Sequence, residues 1–170
     1  MNVFNQLIHF DIIDSTNDFI KDHSDELANY SVVVAKQQLK GRGQFERSWE
    51  SDFGKNLLFS ILFKDETPSE TISRITVSTI IETLSHFGIE ASFKLPNDVL
   101  VNRNKIAGML IETKYIDDLR ISLILGIGWN VNQLIFESVN ATSMRFMTGL
   151  NYDLDEVLKV FLEKLEHNLL

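Results

Sequence analysis

The stretch "VLVNRNKIAGMLIETKYIDDLRISLILGIGWN", residues 99–130, decides the fold. It contains three apolar runs separated by two short polar turns, at residues 103–104 and 117–118. Apolar, β-branched runs joined by turns of two residues predict antiparallel hairpins. We therefore expect strands that are neighbours in sequence to pair, and not to alternate strictly with helices as in a parallel sheet.

The flanking segments add strands and helices to these hairpins. Further strands are predicted at residues 7–14, 31–38, 56–64 and 91–95. The first helix follows Ser15 as N-cap, and the second is expected to have Thr67 as cap and to end at Gly88. An amphipathic helix over 154–170 starts after Asp153. The predicted class is α+β, with a mixed, largely antiparallel sheet flanked by helices.

Composition bounds the function. The 170 residues suit one domain, and the absence of cysteine excludes disulfides and thiolate metal sites. The formal net charge of -8 argues against non-specific nucleic-acid binding. The first residues lack a signal-peptide pattern, and no apolar run is long enough for a membrane span. We expect a cytoplasmic protein with neither nucleic-acid nor membrane partners.

Two polar stretches follow strongly apolar strands. "DSTND" (14–18) is either a simple helix cap or a place where Ser15 and Thr16 hydrogen-bond a polar ligand. "QQLKGRGQFERSW" (37–49) is either a flexible surface loop or a loop that folds over an anion. The second interpretation rests on Arg42, whose guanidinium matches the geometry of phosphate or carboxylate.

Two more stretches carry candidate chemistry. "KLPND" (94–98) is either an ordinary turn or a site where Asp98 binds a ribose, a base or Mg²⁺. Lys105 either extends to solvent or places its ammonium on a carboxylate or phosphate, where the small Gly108 leaves room for a flat ligand. Trp49 either stacks on a base or fills the core.

In their order along the chain, these stretches resemble those of biotin protein ligases, the biotin–[acetyl-CoA-carboxylase] ligases. The matching motifs are "DSTN" (14–17), Gln38, "GRG" (41–43), Trp49, "GKNLLFSI" (54–61), "KLPND" (94–98), "KIAGMLIE" (105–112), "GIGWNVN" (126–132) and "ATSM" (141–144). Together they cover nearly the whole chain, and it is the ordered set that is specific.

The resemblance implies a catalytic domain similar in fold to those of class II aminoacyl-tRNA synthetases and lipoate ligases. It implies that ATP, with Mg²⁺, activates biotin to biotinyl-5'-AMP. The biotinyl group then passes to a lysine of the biotin carboxyl carrier protein. The oligomeric state stays open.

The resemblance also implies site residues. Lys105 and Arg42 are expected to be catalytic. The residues expected around biotin are Ser15, Thr16, Asn17, Gln38, Gly41, Arg42, Gly43, Gln44, Lys105 and Gly108. Those expected around ATP are Arg42, Arg47, Trp49, Asn97, Asp98, Lys105 and Asn130, with Asp98 as the candidate for Mg²⁺.

Two departures from the family pattern matter. A later glycine of the family's loop is Glu46 here, which removes a hinge and adds an anion that Arg47 could pair with. The tryptophan of the family's "KWPND" motif is Leu95 here. The motifs predict one domain over 1–170, without the N-terminal DNA-binding domain or the small C-terminal domain found in other members. The alternatives are a degenerate module that only binds biotin or biotinyl-AMP, and a lipoate-type ligase.

Overall fold

The computed structural model describes residues 2–170, whose strands form a seven-stranded sheet. The strands are β1 (Leu7–Ile13), β2 (Val32–Gln38), β3 (Leu57–Phe63), β4 (Ser92–Lys94), β5 (Asp98–Val101), β6 (Asn104–Ile116) and β7 (Leu119–Trp129). The helices are α1 (Thr16–His23), α2 (Ser69–His86), α3 (Met144–Thr148) and α4 (Leu154–Leu169), and a single 3₁₀ turn spans Gln44–Glu46.

The order of strands confirms the mixed, largely antiparallel sheet. They lie in the order β1-β2-β3-β7-β6-β5-β4. The pair β1–β2 is parallel and the five other pairs are antiparallel. The hairpin β6–β7 turns at 117–118 as the sequence predicted, whereas β5–β6 turns at 102–103, one residue before the predicted 103–104.

Helices cover both faces of this sheet. On one face, α2 and α4 pack on strand residues such as Phe59 and Trp129, and Phe161 of α4 contacts both rings edge to face. On the other face, Ile20 of α1 packs with Leu62 and other buried strand residues. Because side chains alternate across a strand, the residues next to Phe59 along β3 point toward α1. The face that carries α1 also carries the cavity described below.

The ends of the helices agree with the sequence except in one case. Ser15 caps α1 by accepting a hydrogen bond from the N–H of Asp18, and Asp153 caps α4. Gly88, with φ of +77°, follows the end of α2 as predicted. The predicted cap Thr67 is wrong: α2 begins at Ser69, with Pro68 as its N-cap and no side-chain cap.

The physical reason lies in the backbone before α2. The N–H of Thr67 donates to the Asp65 carboxylate at 3.0 Å, and the carbonyl of Pro68 accepts from both Thr71 and Ile72. Asp65 therefore organises the turn, and the helix starts later. The short helix α3, capped by Ser143 and ended by Gly149 at φ +75°, was not predicted from the sequence. Among the described residues, no helix is long and apolar enough to cross a membrane.

Candidate functional site

A cavity of ≈ 320 Å³ lies on the α1 face of the sheet, between the start of α1, the loop over 41–49 and the turn before β5. This volume lies within the range of roughly 300–1,000 Å³ that is usual for small-molecule sites. All but two of the predicted site residues line it, and the two exceptions are Gly41 and Asn130. Segments distant in sequence therefore meet at one site.

Three glycines form the floor of the cavity. Gly108 of β6 pairs with Gly128 of β7, and Gly126 lies two residues before Gly128. A Cβ on Gly126 would overlap the amide of Asn17, and one on Gly128 would overlap the ring of Trp49. A Cβ on Gly108 would lie 2.9 Å from Lys105 Cε. These strands therefore need glycine so that site side chains can lie flat on the sheet.

One end of the cavity holds a continuous chain of hydrogen bonds. The backbone N–H of Thr16 donates to Gln38 Oε1 at 2.8 Å, and the hydroxyls of Thr16 and Ser60 share a hydrogen bond of 2.6 Å. Ser60 donates to Asn17 Oδ1 at 2.5 Å. Asn17 Nδ2 in turn donates to Glu112 Oε2 at 2.8 Å. The amides and hydroxyls of this end are thus fixed in orientation before any ligand binds.

Arg42 joins this chain through two carboxylates. Its guanidinium donates to both oxygens of Glu112 at 3.0 Å and to Asp18 Oδ1 at 2.6 Å. The hydrogen bond to Glu112 is the main cause that raises the pKa of Arg42. Burial alone would raise the pKa of Glu112, but hydrogen bonds from Arg42 and Asn17 and the charge of Arg42 lower it below its ordinary value. Glu112 is therefore ionised at neutral pH.

The opposite end of the cavity holds Lys105. Its Nζ lies 2.8 Å from Asp98 Oδ1 and 5.2 Å from the ring centroid of Trp49. Trp49 is partly buried over the glycine floor. This position lies between the two alternatives left open by the sequence, which were stacking on a base and filling the core. Its indole N–H is buried and has no hydrogen-bond partner among residues 2–170. This end therefore combines a cation with a flat ring that has a free donor.

The remaining predicted residues have more structural contacts. Asn97 lines the cavity, but its side-chain amide donates to the backbone carbonyl of Met109. The backbone carbonyl of Asn97 in turn accepts from the backbone N–H of Met109 at 3.2 Å. Asn130 is buried and its backbone carbonyl accepts from Met144 at 3.2 Å. Its Oδ1 is buried without a partner in the described part of the chain. Gly41 is buried, and its carbonyl accepts from the backbone N–H of Trp49 at 3.0 Å. This hydrogen bond joins the two ends of the loop over 41–49.

The loop over 41–49 has an unusual backbone. Phe45 and Glu46 have φ of +56° and +60°, in the left-handed region that favours glycine. The side chain of Phe45 is 82% exposed. Arg47 forms no ion pair with Glu46 within the range 2–170, so the pairing considered from the sequence is not present. Glu46 therefore strains the loop at the position where the family pattern has glycine.

Sequence reasoning missed three polar contributors. Asp18, Ser60 and Glu112 do not line the cavity themselves, yet each holds a residue that does. The available signal was Glu112, an acidic residue in the otherwise apolar run 106–112. Residues 2–170 contain no group of three or more His, Cys, Asp or Glu side chains that could hold a metal ion without help from a ligand.

The chain is similar in sequence to known proteins. The model of the biotin/lipoate A/B protein ligase family matches residues 9–132. The bifunctional ligase/repressor BirA of Bacillus spizizenii is 34% identical over 136 residues, which cover 75% of this chain and 41% of BirA. The biotin–[acetyl-CoA-carboxylase] ligase of Mycobacterium tuberculosis is 26% identical over 144 residues, which cover 79% of this chain and 52% of that protein.

A solved structure extends the likeness to the whole fold. The biotin protein ligase from Aquifex aeolicus, in complex with biotin and ATP, superposes with a TM-score of 0.88 at 32% identity. The match covers 98% of this chain and 71% of the Aquifex chain. It confirms the predicted class II synthetase-like fold.

The extent of these matches also sets a limit. The chain spans about two fifths of the length of BirA and about half that of the Mycobacterium relative. The family match, in contrast, covers 124 of the 170 residues, counted from 9 to 132, and includes every strand from β2 to β7. The chain belongs to the biotin/lipoate A/B protein ligase family.

Proposed function

We propose that this chain is the catalytic domain of a biotin protein ligase. It activates biotin with ATP to biotinyl-5'-AMP and transfers the biotinyl group to a lysine of the biotin carboxyl carrier protein of acetyl-CoA carboxylase. The observation that carries this proposal is a single cavity with hydrogen-bonded amides and hydroxyls at one end and the ammonium of Lys105 at the other. A ligand with a ureido head, an apolar middle and a carboxylate fits that order of groups.

The head of biotin belongs at the end formed by Thr16, Asn17 and Gln38. A buried ureido group needs both donors and acceptors, because an unpaired buried polar group costs about 1–3 kcal/mol. Amide and hydroxyl groups supply both kinds. Because Gly126 and Gly128 have no side chains, Asn17 and Trp49 lie close against the sheet there, and the cavity beside them takes the fused rings and the chain of biotin.

The first chemical step joins two anions. A carboxylate oxygen of biotin attacks the α-phosphorus of ATP, and the bond from that phosphorus to the oxygen bridging to the β-phosphate breaks, so that pyrophosphate leaves. Lys105, at the mouth of β6, supplies a cation between the two reacting groups and stabilises the negative charge that builds on the phosphoryl oxygens. The catalytic part assigned to Arg42 has weaker support, because two carboxylates already occupy its guanidinium.

Mg²⁺ fits the chemistry of this end. Mg²⁺ is usually held by one or two carboxylates together with substrate phosphates, and the carboxylate of Asp98 is on the wall of the cavity. Asp98 is the residue that would hold Mg²⁺, which supplies charge neutralisation on the phosphates when it is bound. The same carboxylate positions the ammonium of Lys105.

In the second step a neutral lysine amine of the carrier attacks the carbonyl carbon of the mixed anhydride. The bond between that carbon and the phosphate oxygen breaks, AMP leaves, and the nitrogen loses a proton. Until the carrier arrives, the loop over 41–49 has to keep water from the anhydride, which is a gating role. The partly buried ring of Trp49 at the end of this loop offers the base of the nucleotide a stacking surface.

A second candidate function is favoured by one observation. Glu46 has a left-handed backbone without being glycine, and it adds an anion to the loop that covers the site. If this prevents closure, the chain is a module that holds biotin or biotinyl-AMP and does not transfer it. The lipoate alternative is supported only by the breadth of the family, and lipoate therefore serves as a control substrate.

The test is pyrophosphate release from ATP and Mg²⁺ in the presence of biotin, with and without a biotin carboxyl carrier domain. One equivalent released without the carrier and steady turnover with it are expected. One equivalent without turnover would favour the binding module, and release with lipoate in place of biotin would overturn the substrate assignment. A cytoplasmic location and the extent of the domain stay predictions.

A further inference from the structure

We infer that Glu112 is a positioning residue that fixes the biotin end of the cavity through Arg42 and Asn17. The inference rests on the proposed function for the identity of the ligand. It assigns a part to a residue that does not itself line the cavity. It also assigns Arg42 to the binding of biotin and not to the phosphoryl group.

The first step is the separation of the two cations. The side chain of Lys105 extends forward along β6 and lies over Gly108, while Arg42 is bound at Glu112, four residues after Gly108 in the same strand. At about 3.3 Å per residue, Gly108 and Glu112 are about 13 Å apart along the strand. Two cations that stabilise one phosphorus must both lie within a few ångströms of it. The geometry therefore gives Lys105 and Arg42 different parts of the ligand.

The second step is the geometry at Glu112. Its two carboxylate oxygens accept two parallel hydrogen bonds from the guanidinium of Arg42, at 3.0 Å each. This bidentate arrangement fixes the plane of the guanidinium as well as its position. One of the same oxygens also accepts from Asn17 Nδ2, while Asn17 Oδ1 accepts from Ser60. The amide of Asn17 is therefore held on both sides and cannot flip.

The third step compares the two carboxylates around Arg42. Asp18 makes a single contact with the guanidinium and its side chain is 45% exposed, whereas that of Glu112 is 24% exposed. The side chain of Asp18 forms no hydrogen bond with Asn17 in the described range. Asp18 also joins the loop over 41–49 to α1 through Arg42, but among the described residues only Glu112 hydrogen-bonds both Arg42 and the amide of Asn17. Loss of Glu112 should therefore loosen two cavity walls at once, and loss of Asp18 only one.

The experiment measures KM for biotin, KM for ATP and kcat for the full chain and for Glu112→Gln. The glutamine keeps the shape and an acceptor for Asn17 but loses the charge that holds Arg42. We expect KM for biotin to rise about tenfold, with KM for ATP and kcat within about twofold. Glu112→Asp should restore part of the loss. The matched control Asp18→Asn should raise KM for biotin less than threefold.

Two results would overturn the inference. An unchanged KM for biotin would show that Glu112 does not position the head-group site. A higher kcat or a lower KM for ATP in Glu112→Gln would show that Arg42 must leave Glu112 in order to reach the phosphates. If Glu112→Gln does not fold, Arg42→Met gives the same test from the other partner, because it should raise KM for biotin by a similar factor.

A readout without ligand separates this inference from the proposed function. Side-chain nitrogen NMR of the free chain should show an immobilised Arg42 guanidinium, which becomes mobile in Glu112→Gln. If the unaltered chain binds no biotin, the proposed function fails, and this NMR comparison still decides whether Glu112 positions Arg42. Equal mobility of Arg42 in both proteins would overturn the positioning role.

Discussion

The ammonium of Lys105 lies 2.8 Å from the carboxylate of Asp98, across the antiparallel pair β5–β6. The two residues come from opposite sides of a tight hairpin, so their contact depends on local structure alone. Asp98 holds the charge of Lys105 over the glycine floor and near Trp49. Asp98 thus positions the ammonium of Lys105 in advance for a reaction in which negative charge builds up.

Lys105→Ala should abolish the formation of biotinyl-AMP while leaving the fold intact. The lysine is only partly buried, so its removal leaves no cavity in the core, whereas the reaction loses the cation between carboxylate and phosphate. Pyrophosphate release measures the loss, and circular dichroism checks the fold. Lys64→Ala, at an exposed lysine after β3, is the matched control. Near-normal release by Lys105→Ala would remove this residue from the mechanism.

Glu46→Gly should stabilise the closed loop. Glycine adopts the φ of +60° found here at no steric cost, while a non-glycine residue in this region costs about 1–2 kcal/mol. The change also removes an anion from the neighbourhood of the phosphates. We expect slower loss of biotinyl-AMP from the protein, measured by its dissociation in the absence of carrier.

Phe45→Gly is the matched control for that change. It relieves a similar backbone conformation, at φ +56°, but keeps the charge of Glu46. If both variants retain biotinyl-AMP equally well, the strain limits closure, and if only Glu46→Gly does, the charge limits it. Faster loss from Glu46→Gly would contradict the prediction.

Gly126→Ala should weaken biotin binding severely, because the added Cβ overlaps the amide of Asn17. Asn17 then has to move away from Ser60 and Glu112, and the head-group end is lost. Calorimetric titration with biotin measures the effect, which we expect to exceed tenfold. Gly88→Ala is the control: it lies at the end of α2 with φ +77° and open space around it. It should cost about 1 kcal/mol of stability and leave the affinity for biotin unchanged.

The fold was predictable where the signals are local. The hairpins of 98–129 follow from turns of two residues between apolar runs, and α4 follows from its cap and apolar face. The predicted start of α2 was wrong because the side chain of Asp65, two residues before Thr67, accepts a hydrogen bond from the backbone N–H of Thr67 and organises a turn there. The order of the strands came from the hairpins only in part, since β1 pairs in parallel with β2 across α1.

The site was predictable residue by residue but not as a network. Motifs along the chain named the groups that line the cavity. The ion pair between Arg42 and Glu112, in contrast, joins residues 70 positions apart, and its geometry depends on how β6 and the loop over 41–49 are brought together. No local pattern encodes such a contact. For the same reason the separation of Lys105 from Arg42 became visible only in the folded chain.

The ion pair at Glu112 should make part of the stability depend on pH. The pKa of Glu112 is lower in the folded chain than its ordinary value, so the folded state binds its proton more weakly than the unfolded state does. The contribution of Glu112 to stability is therefore present above its ordinary pKa and is lost as the pH falls through the lowered folded value. Thermal unfolding measured between pH 7 and pH 3 checks this.

Glu112→Gln removes that titration and should flatten the acid limb of the curve of Tm against pH. Part of the dependence of Tm on acid pH should stay, because the pKa of Asp65 is also lowered in the folded chain. Burial would raise this pKa, but hydrogen bonds from Thr67 and Tyr30 outweigh that effect. Asp11→Asn, at a carboxylate 76% exposed and paired only with Lys36 in the described chain, should leave the curve nearly parallel to that of the unaltered chain. A Glu112→Gln curve parallel to it as well would show that the ion pair with Arg42 adds nothing to the folding free energy.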